Sequence, residues 1–435
     1  MSTFTIHQCH KKHNEFVKKA FKSKDLSLKL TTTINEEPID DAIPAYDSAT
    51  ISGNGTFVWV VRTYIPPRPP NAADANLYRN EGGLLALVGS VPPDPAFDGV
   101  SAGAIAESGT FAYVIDEAAN ASQIRVFSVP SLALLRTIPL PNVSNPNFTV
   151  VGFPGVFLNR YAVVSYPTDN GQNYVAALVD LISGNVVTAP IGGLSPVGGY
   201  VFELNGRIYT AIGSAINDET GPSILKIFVL QNNQLIRVEE VVLPSFMLGI
   251  SVQIRHCTAL IAVSTTTANV PGTVPITGDT PPYSNPTGEP SGIRIFAFDG
   301  CELCLVALKT MNSGQRGYTS LSFDSTGRFL VATAVPPTVP TLSTLITYRL
   351  DAGHNCELDR INSVKVCCKQ LVLQEVDVNF VAPLTVSVQF SANGRWLIIS
   401  GGDFGVPNAP DLPEVNLFRV FYAKCAKFED APLLA

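Results

Sequence analysis

The chain has 435 residues, of which 15% are charged, 33 are glycine and 33 are proline, a turn-rich composition well below the roughly 25% charged usage of ordinary soluble domains. Its apolar residues come in short runs broken by Gly, Asn, Asp or Pro, so no stretch reaches the roughly 18 residues of a membrane helix, and the N-terminus lacks the apolar core of a secretory signal. The net charge of −7 divides unevenly, with seven lysines and two acids in residues 1–30 against 22 bases and 34 acids in the rest; an acidic body excludes nucleic-acid wrapping, because phosphate affinity comes from neutralising bases.

Residues 1–25 form a basic N-terminal arm. Phe16 with Ala20 and Val17 with Phe21 recur at four-residue spacing, with lysines on the remaining faces, which predicts a short amphipathic helix. Lys11, Lys12, Lys18 and Lys19 are its candidate attachment residues, and any membrane contact falls to this arm alone. The segment from Leu26 to Ile34, LSLKLTTTI, reads as a strand with no partner nearby in sequence.

Beyond it a tight turn followed by a short apolar strand recurs seven times: FVWVV from Phe57, FAYVI from Phe111, YAVVS from Tyr161, IYTAI from Ile208, LIAVS from Leu260, FLVAT from Phe329 and WLIIS from Trp396. The mean step is about 56 residues, within reach of a blade-sized repeat carrying insertions. A period-two strand precedes most of these turns, as in SATIS from Ser48 and TVSVQF from Thr385, and a third strand follows, as in QIRVFSV from Gln123 and GIRIFAF from Gly292. Fourth strands such as LLRTIPL from Leu134 complete most copies. The predicted fold is all-β, a seven-bladed β-propeller of four-stranded antiparallel blades over residues 26–435. The last copy lacks a fourth strand after Tyr422, so the strand near 26–34 is expected to close the ring. Trp396, Phe329, Phe111 and Phe57 are expected to occupy equivalent second-strand positions and to be largely buried between blades.

The repeats with Phe323-Asp-Ser-Thr-Gly-Arg-Phe-Leu330 and Phe390-Ser-Ala-Asn-Gly-Arg-Trp-Leu397 resemble the FSxDGRxL pattern of lactonase-like and YVTN-type propellers. The second repeat, with Ala112-Tyr113-Val114 ahead of Arg125-Val126-Phe127, is similar to the YVTN repeat. The resemblance implies a propeller, and for its lactonase-like members a channel-mouth set of His, Arg and acidic residues. Where that family often has His before the FSxDGR strand, this chain has Gly317-Tyr318 and Pro383-Leu384. Its five histidines are His7, His10 and His13 in the arm and His256 and His354 in turns away from the expected channel mouth.

The long insertions lie between second and third strands of repeats one, five, six and seven: Arg62 to Gly82, Thr265 to Glu289, Pro336 to Ser343 and Gly401 to Glu414. These repeats are neighbours in a closed ring, so the insertions form one arc on one face, and function concentrates on loops placed by a rigid scaffold. Tyr64, Arg68, Tyr78, Tyr283 and Phe404 are the candidate partner-binding residues there, since aromatic residues and Arg anchor interfaces. Asp116-Glu117, Asp218-Glu219 and Asp403 are the carboxylates available to bind a metal or activate water. Cys301 and Cys304 form a CxxC without the second pair that structural zinc requires, and the eight cysteines are expected to be plain core or turn residues in a reducing compartment.

The function expected from these readings is non-enzymatic: an interaction or structural component of a larger assembly, intracellular or assembly-embedded, with a protein partner and with no cofactor, metal or catalytic residue assigned. The alternative is a lactonase-like or other hydrolase using channel-mouth carboxylates.

Overall fold

The computed structural model describes residues 26–35, 44–64, 72–118, 120–144, 151–157, 160–171, 173–192, 195–215, 222–243, 246–255, 257–266, 292–310, 317–335, 342–352, 371–383, 385–401 and 414–422. The helix expected over residues 1–25, with Lys11, Lys12, Lys18 and Lys19, lies outside them. Among the described residues the helical content is a single 3-10 turn, Asp169–Gly171.

Strand β1 (Leu26–Asn35) comes first. Blade one is β2 (Pro44–Ile51), β3 (Phe57–Tyr64), β4 (Ala75–Glu81) and β5 (Leu84–Val91). Blade two is β6 (Gly99–Ile105), β7 (Phe111–Ala118), β8 (Ala121–Ser128) and β9 (Leu134–Pro139), and blade three is β10 (Val151–Phe157), β11 (Tyr161–Thr168), β12 (Asn173–Asp180) and β13 (Val186–Pro190). Blade four is β14 (Ser195–Leu204), β15 (Arg207–Ala215), β16 (Ser223–Gln231) and β17 (Gln234–Leu243). Blade five is β18 (Phe246–Arg255), β19 (Thr258–Thr266), β20 (Gly292–Phe298) and β21 (Leu303–Thr310), and blade six is β22 (Gly317–Phe323), β23 (Phe329–Val335), β24 (Leu342–Ala352) and β25 (Leu371–Pro383). The last three strands are β26 (Thr385–Phe390), β27 (Trp396–Gly401) and β28 (Glu414–Tyr422). Each blade is an antiparallel meander, and blades five and six touch edgewise at the single pair Thr266 and Gly317. The fold is a seven-bladed β-propeller.

The seventh blade has the order β1-β28-β27-β26. Its outermost strand therefore comes from the other end of the chain, with Leu26 opposite Tyr422 and Asn35 opposite Glu414. Leu26 is buried among Phe329, Val331 and Leu345 of blade six as well as Leu397 and Phe418 of its own blade, so β1 fastens two blades.

Middle strands read as unbroken apolar runs because both faces are covered by neighbouring blades. Trp59, Val61 and Leu77 of blade one pack with Val100, Ala112 and Val114 of blade two, and the Trp59 indole donates to the Tyr113 carbonyl at 3.1 Å. Phe329 is fully buried, and Phe57, Phe111 and Trp396 are half-buried, each packed against a core cluster between blades. Trp396 lies over Gly55, whose φ of +73° and lack of a Cβ make room for the indole.

A second set of contacts links the innermost strands. Thr50 Oγ1 accepts the Ile105 N–H at 3.0 Å, Ser251 Oγ the Phe323 N–H at 3.1 Å, Ser322 Oγ the Phe390 N–H at 3.4 Å and Gln389 Oε1 the Ile51 N–H at 2.9 Å. Thr50, Ser322 and Gln389 each stand one residue before the large apolar residue that ends its inner strand, and all four acceptors receive a main-chain donor from the next blade. The last of the four crosses the closure between blades seven and one. Thr50→Val, Ser251→Ala and Gln389→Leu each orphan a buried donor, for which about 1–3 kcal/mol of destabilisation is expected; chemical denaturation measures it, and three silent substitutions would refute these linkages.

Candidate functional site

The inner strands enclose a cavity of about 300 Å³ at the end of the channel that carries the first-to-second-strand turns. Six of the seven blades contribute to its wall, through Ile51, Ile105, Tyr200, Gln253, Phe323 and Gln389 among others. The size is at the lower limit of small-molecule pockets. Its polar groups are the Glu107 carboxylate, the Tyr200 phenol, the side-chain amides of Gln253 and Gln389, and the hydroxyls of Ser251, Ser322, Ser325 and Ser391. Several are already engaged in the fold. Ser251, Ser322 and Gln389 hold neighbouring blades, and Ser391 Oγ donates to Asn393 and accepts the Trp396 N–H. Burial, with the Glu107 charge adding to it, pushes the Tyr200 phenol up to about 12, so it is a neutral hydroxyl at physiological pH. Among the described residues of the wall there is no lysine, arginine or histidine.

At the other end of blades one and two, three charges are buried together. Arg125 donates through Nε to Asp116 Oδ2 at 2.7 Å and through Nη2 to Asp116 Oδ1 at 2.8 Å and to Asp74 Oδ2 at 2.5 Å. Its Nη1 donates to the Pro92 carbonyl at 3.2 Å, and Gln123 donates to both Asp116 and Asp94. Burial raises Asp116 above the usual carboxylate range although Arg125 opposes the shift. Arg125 itself is held above its ordinary value by the two carboxylates, against the effect of burial. For Asp116 burial outweighs the guanidinium, and for Arg125 the two carboxylates outweigh burial.

Sequence reasoning offered Asp116 as a carboxylate for metal binding or water activation. The structure corrects that reading, because Asp116 is buried and bonded to Arg125 and Gln123. Asp218, Glu219 and Asp403 lie outside the described residues. Arg125 stands in the third-strand pattern Ile124-Arg125-Val126-Phe127, which recurs as Leu225-Lys226-Ile227-Phe228 and Ile293-Arg294-Ile295-Phe296. All three cations are buried. Lys226 Nζ donates to the Ile191 carbonyl of the connection leaving blade three, as Arg125 does to Pro92 in the connection leaving blade one. Arg294 donates to Thr265 Oγ1 at 2.8 Å within blade five. The repeated cation was visible in the sequence as a charged residue inside an apolar strand.

Of the candidate partner-binding residues, Arg68, Tyr283 and Phe404 lie outside the described residues. Tyr64 ends β3, its backbone opposite Pro44. Tyr78 needs correcting: it sits in β4, 8% exposed, packed with Ile398, Val415 and Leu417 of blade seven. The insertion ends before Ala75, and the alternation of β4 turns Tyr78 into the interface between blades. Cys301 is exposed and free, whereas Cys304 is disulfide-bonded to a residue outside the described ones. That bond corrects the expectation of plain cysteines at this position. All five histidines lie outside the described residues. Among the described residues no group of three or more His, Cys, Asp or Glu is placed to hold a metal ion, and no helix is long and apolar enough to cross a membrane.

No protein-family model matches the chain, and no curated protein matches it in sequence. Among solved structures it is similar to the β-propeller domain of Myceliophteria thermophila Cps50 (Swd1), with a TM-score of 0.49 and 8% identity over 90% of this chain and 99% of that one. It is also similar to a putative 6-phosphogluconolactonase from Bacteroides uniformis, with a TM-score of 0.45 and 14% identity over 80% of this chain and 88% of that one. The hydrazine synthase of Kuenenia stuttgartiensis gives a TM-score of 0.49 and 12% identity over 89% of this chain and 98% of that one. None of these neighbours assigns an activity to this chain.

Proposed function

We propose that this propeller is a non-enzymatic interaction module, a structural component of a larger assembly. It binds a protein partner through the arc of insertions on blades five, six, seven and one, and it attaches through its basic N-terminal arm. The observation that supports this reading most is the use made of Asp116, one of two described carboxylates among those proposed for chemistry, the other being the half-buried Glu117 beside it in β7. The Asp116 side chain is bonded to Arg125, which also reaches across the joint between blades one and two to Asp74 and Pro92. A rigid ring with long second-to-third-strand connections on one face is a platform for recognition. The connections leave from the ends of β3, β19, β23 and β27 and return at β4, β20, β24 and β28.

The test is capture of identified partners from the native source by the full chain and two variants. Replacing Lys11, Lys12, Lys18 and Lys19 by Glu is expected to abolish attachment, and salt should weaken the wild type because exposed charges are screened beyond about 8–10 Å. Replacing Tyr64, Tyr283 and Phe404 by Ala is expected to remove a specific partner in a nearly salt-independent way. Capture of the same partners by both variants would refute the proposal, as would hydrolysis of a lactone by the purified chain.

A further inference from the structure

Seven outermost strands form the perimeter of the ring: β5, β9, β13, β17, β21, β25 and β1. Each offers an edge of main-chain donors and acceptors, the template on which another chain adds a strand. Six carry features that blunt such an edge. β1 has Lys29, β9 has Arg136 and Pro139, and β13 is five residues long and ends on Pro190. β17 has Arg237, Glu239 and Glu240, β21 has Lys309, and β25 has Glu375, Asp377 and Pro383. β5 is different. It carries a bulge at Val88, but its eight residues, LLALVGSV, contain no charge and no proline, and Leu84 and Leu87 are 68% and 58% exposed.

The apolar surface continues on both flanks of β5. On one side Thr32 Oγ1 of β1 donates to the Gly83 carbonyl, next to the exposed Leu30. On the other Leu132 lies against Gly89, ahead of the exposed Leu134 and Leu135 of β9. Exposed leucines of blades seven, one and two thus stand on β5 and on the two strands flanking it, whereas single exposed apolar residues need no explanation.

The geometry points to β5 as the site where a second copy of this chain adds by antiparallel strand pairing across a two-fold axis. An isologous contact needs a surface that is complementary to itself. Antiparallel pairing of β5 with its copy brings only uncharged residues opposite one another, so no like charges are opposed. A charged segment of another protein finds no counter-charge along this strand. The same axis turns each β1 flank toward its copy and each β9 flank toward its copy, so Leu30, Leu134 and Leu135 are covered too. These flanks extend the contact beyond one strand, toward the roughly 800 Å² per partner of a stable interface. This surface lies on the perimeter, apart from the arc of insertions, and the two proposals stand or fall separately.

The experiment is sedimentation velocity of the full chain from about 1 to 100 μM, a range that brackets a micromolar dimer, with hydrogen exchange read on the β5 amides. The wild type is expected to double its mass over this range and to gain protection in β5 as it does so. Leu87→Lys and Val88→Lys are expected to stay monomeric with the melting temperature of the dilute wild type. Leu84→Lys, at the most exposed position, replaces either variant that fails to fold. A monomeric wild type throughout, a dimer unaffected by the lysines, or a dimer without added protection in β5 would each overturn the proposal.

Discussion

Deleting residues 1–35 is expected to destabilise the whole ring and to make the remaining chain self-associate. The deletion removes β1, leaving β28 as an unpaired edge along residues 414–422. It also strips Leu26 from the core shared by blades six and seven, and loss of one such side chain alone costs about 2–5 kcal/mol. Thr33 Oγ1 donates to Asn416 Oδ1 at 2.7 Å and Thr31 Oγ1 to the Leu417 carbonyl at 2.8 Å, so the seventh blade loses side-chain bonds as well as its ladder. The newly exposed edge contains Val415, Leu417 and Phe418, all buried in the intact protein, and an uncovered apolar edge is an aggregation site. Thermal unfolding and light scattering of the truncated and full chains measure both effects. A truncated protein that melts with the full chain and stays monomeric would show that β1 is dispensable.

Replacing Arg125 by Met is expected to cost about 3–5 kcal/mol at neutral pH, the range for removing one partner of a buried ion pair. The cost comes from what remains: Asp74 and Asp116 are both buried, and without the guanidinium their charges face each other uncompensated. The pH dependence follows from the direction of the shift. Asp116 is already raised above the unfolded carboxylate value in the wild type, chiefly by burial, so the folded state binds more protons than the unfolded state between the two pKa values. Stability from this group therefore falls as pH rises through its folded pKa, and it recovers as pH is lowered toward the unfolded value near 3.8. In the Met variant Asp116 loses the opposing guanidinium and is raised further, so the destabilisation should shrink markedly between neutral and mildly acidic pH. Denaturant titrations of wild type and variant across that range give the difference. A penalty that does not change with pH would mean that lost packing, not stranded charge, dominates.

Of these features, the sequence by itself determined the blade. Turns such as Ser-Thr-Gly-Arg at 325–328 and Ala-Asn-Gly-Arg at 392–395 punctuate apolar runs at regular spacing, and the hairpins follow from local turn chemistry and period-two alternation. Pairing of the strand at 26–34 with β28 was also legible, because a repeat missing its fourth strand and a strand missing its repeat imply each other. What only the tertiary structure decided concerns how blades meet. Tyr78 looked available in a long insertion, yet the phase of β4 turns it toward blade seven. Asp116 looked like a free loop carboxylate, but Arg125 on the paired strand and Asp74 on the previous blade, far apart in sequence, converge on it. The channel cavity was hidden for the same reason, since its wall takes one or a few residues from each of six blades. Local patterns fix strands because neighbours in sequence set the backbone. Sites formed where blades face one another depend on closure of the ring, which brings distant residues together and which no local pattern encodes.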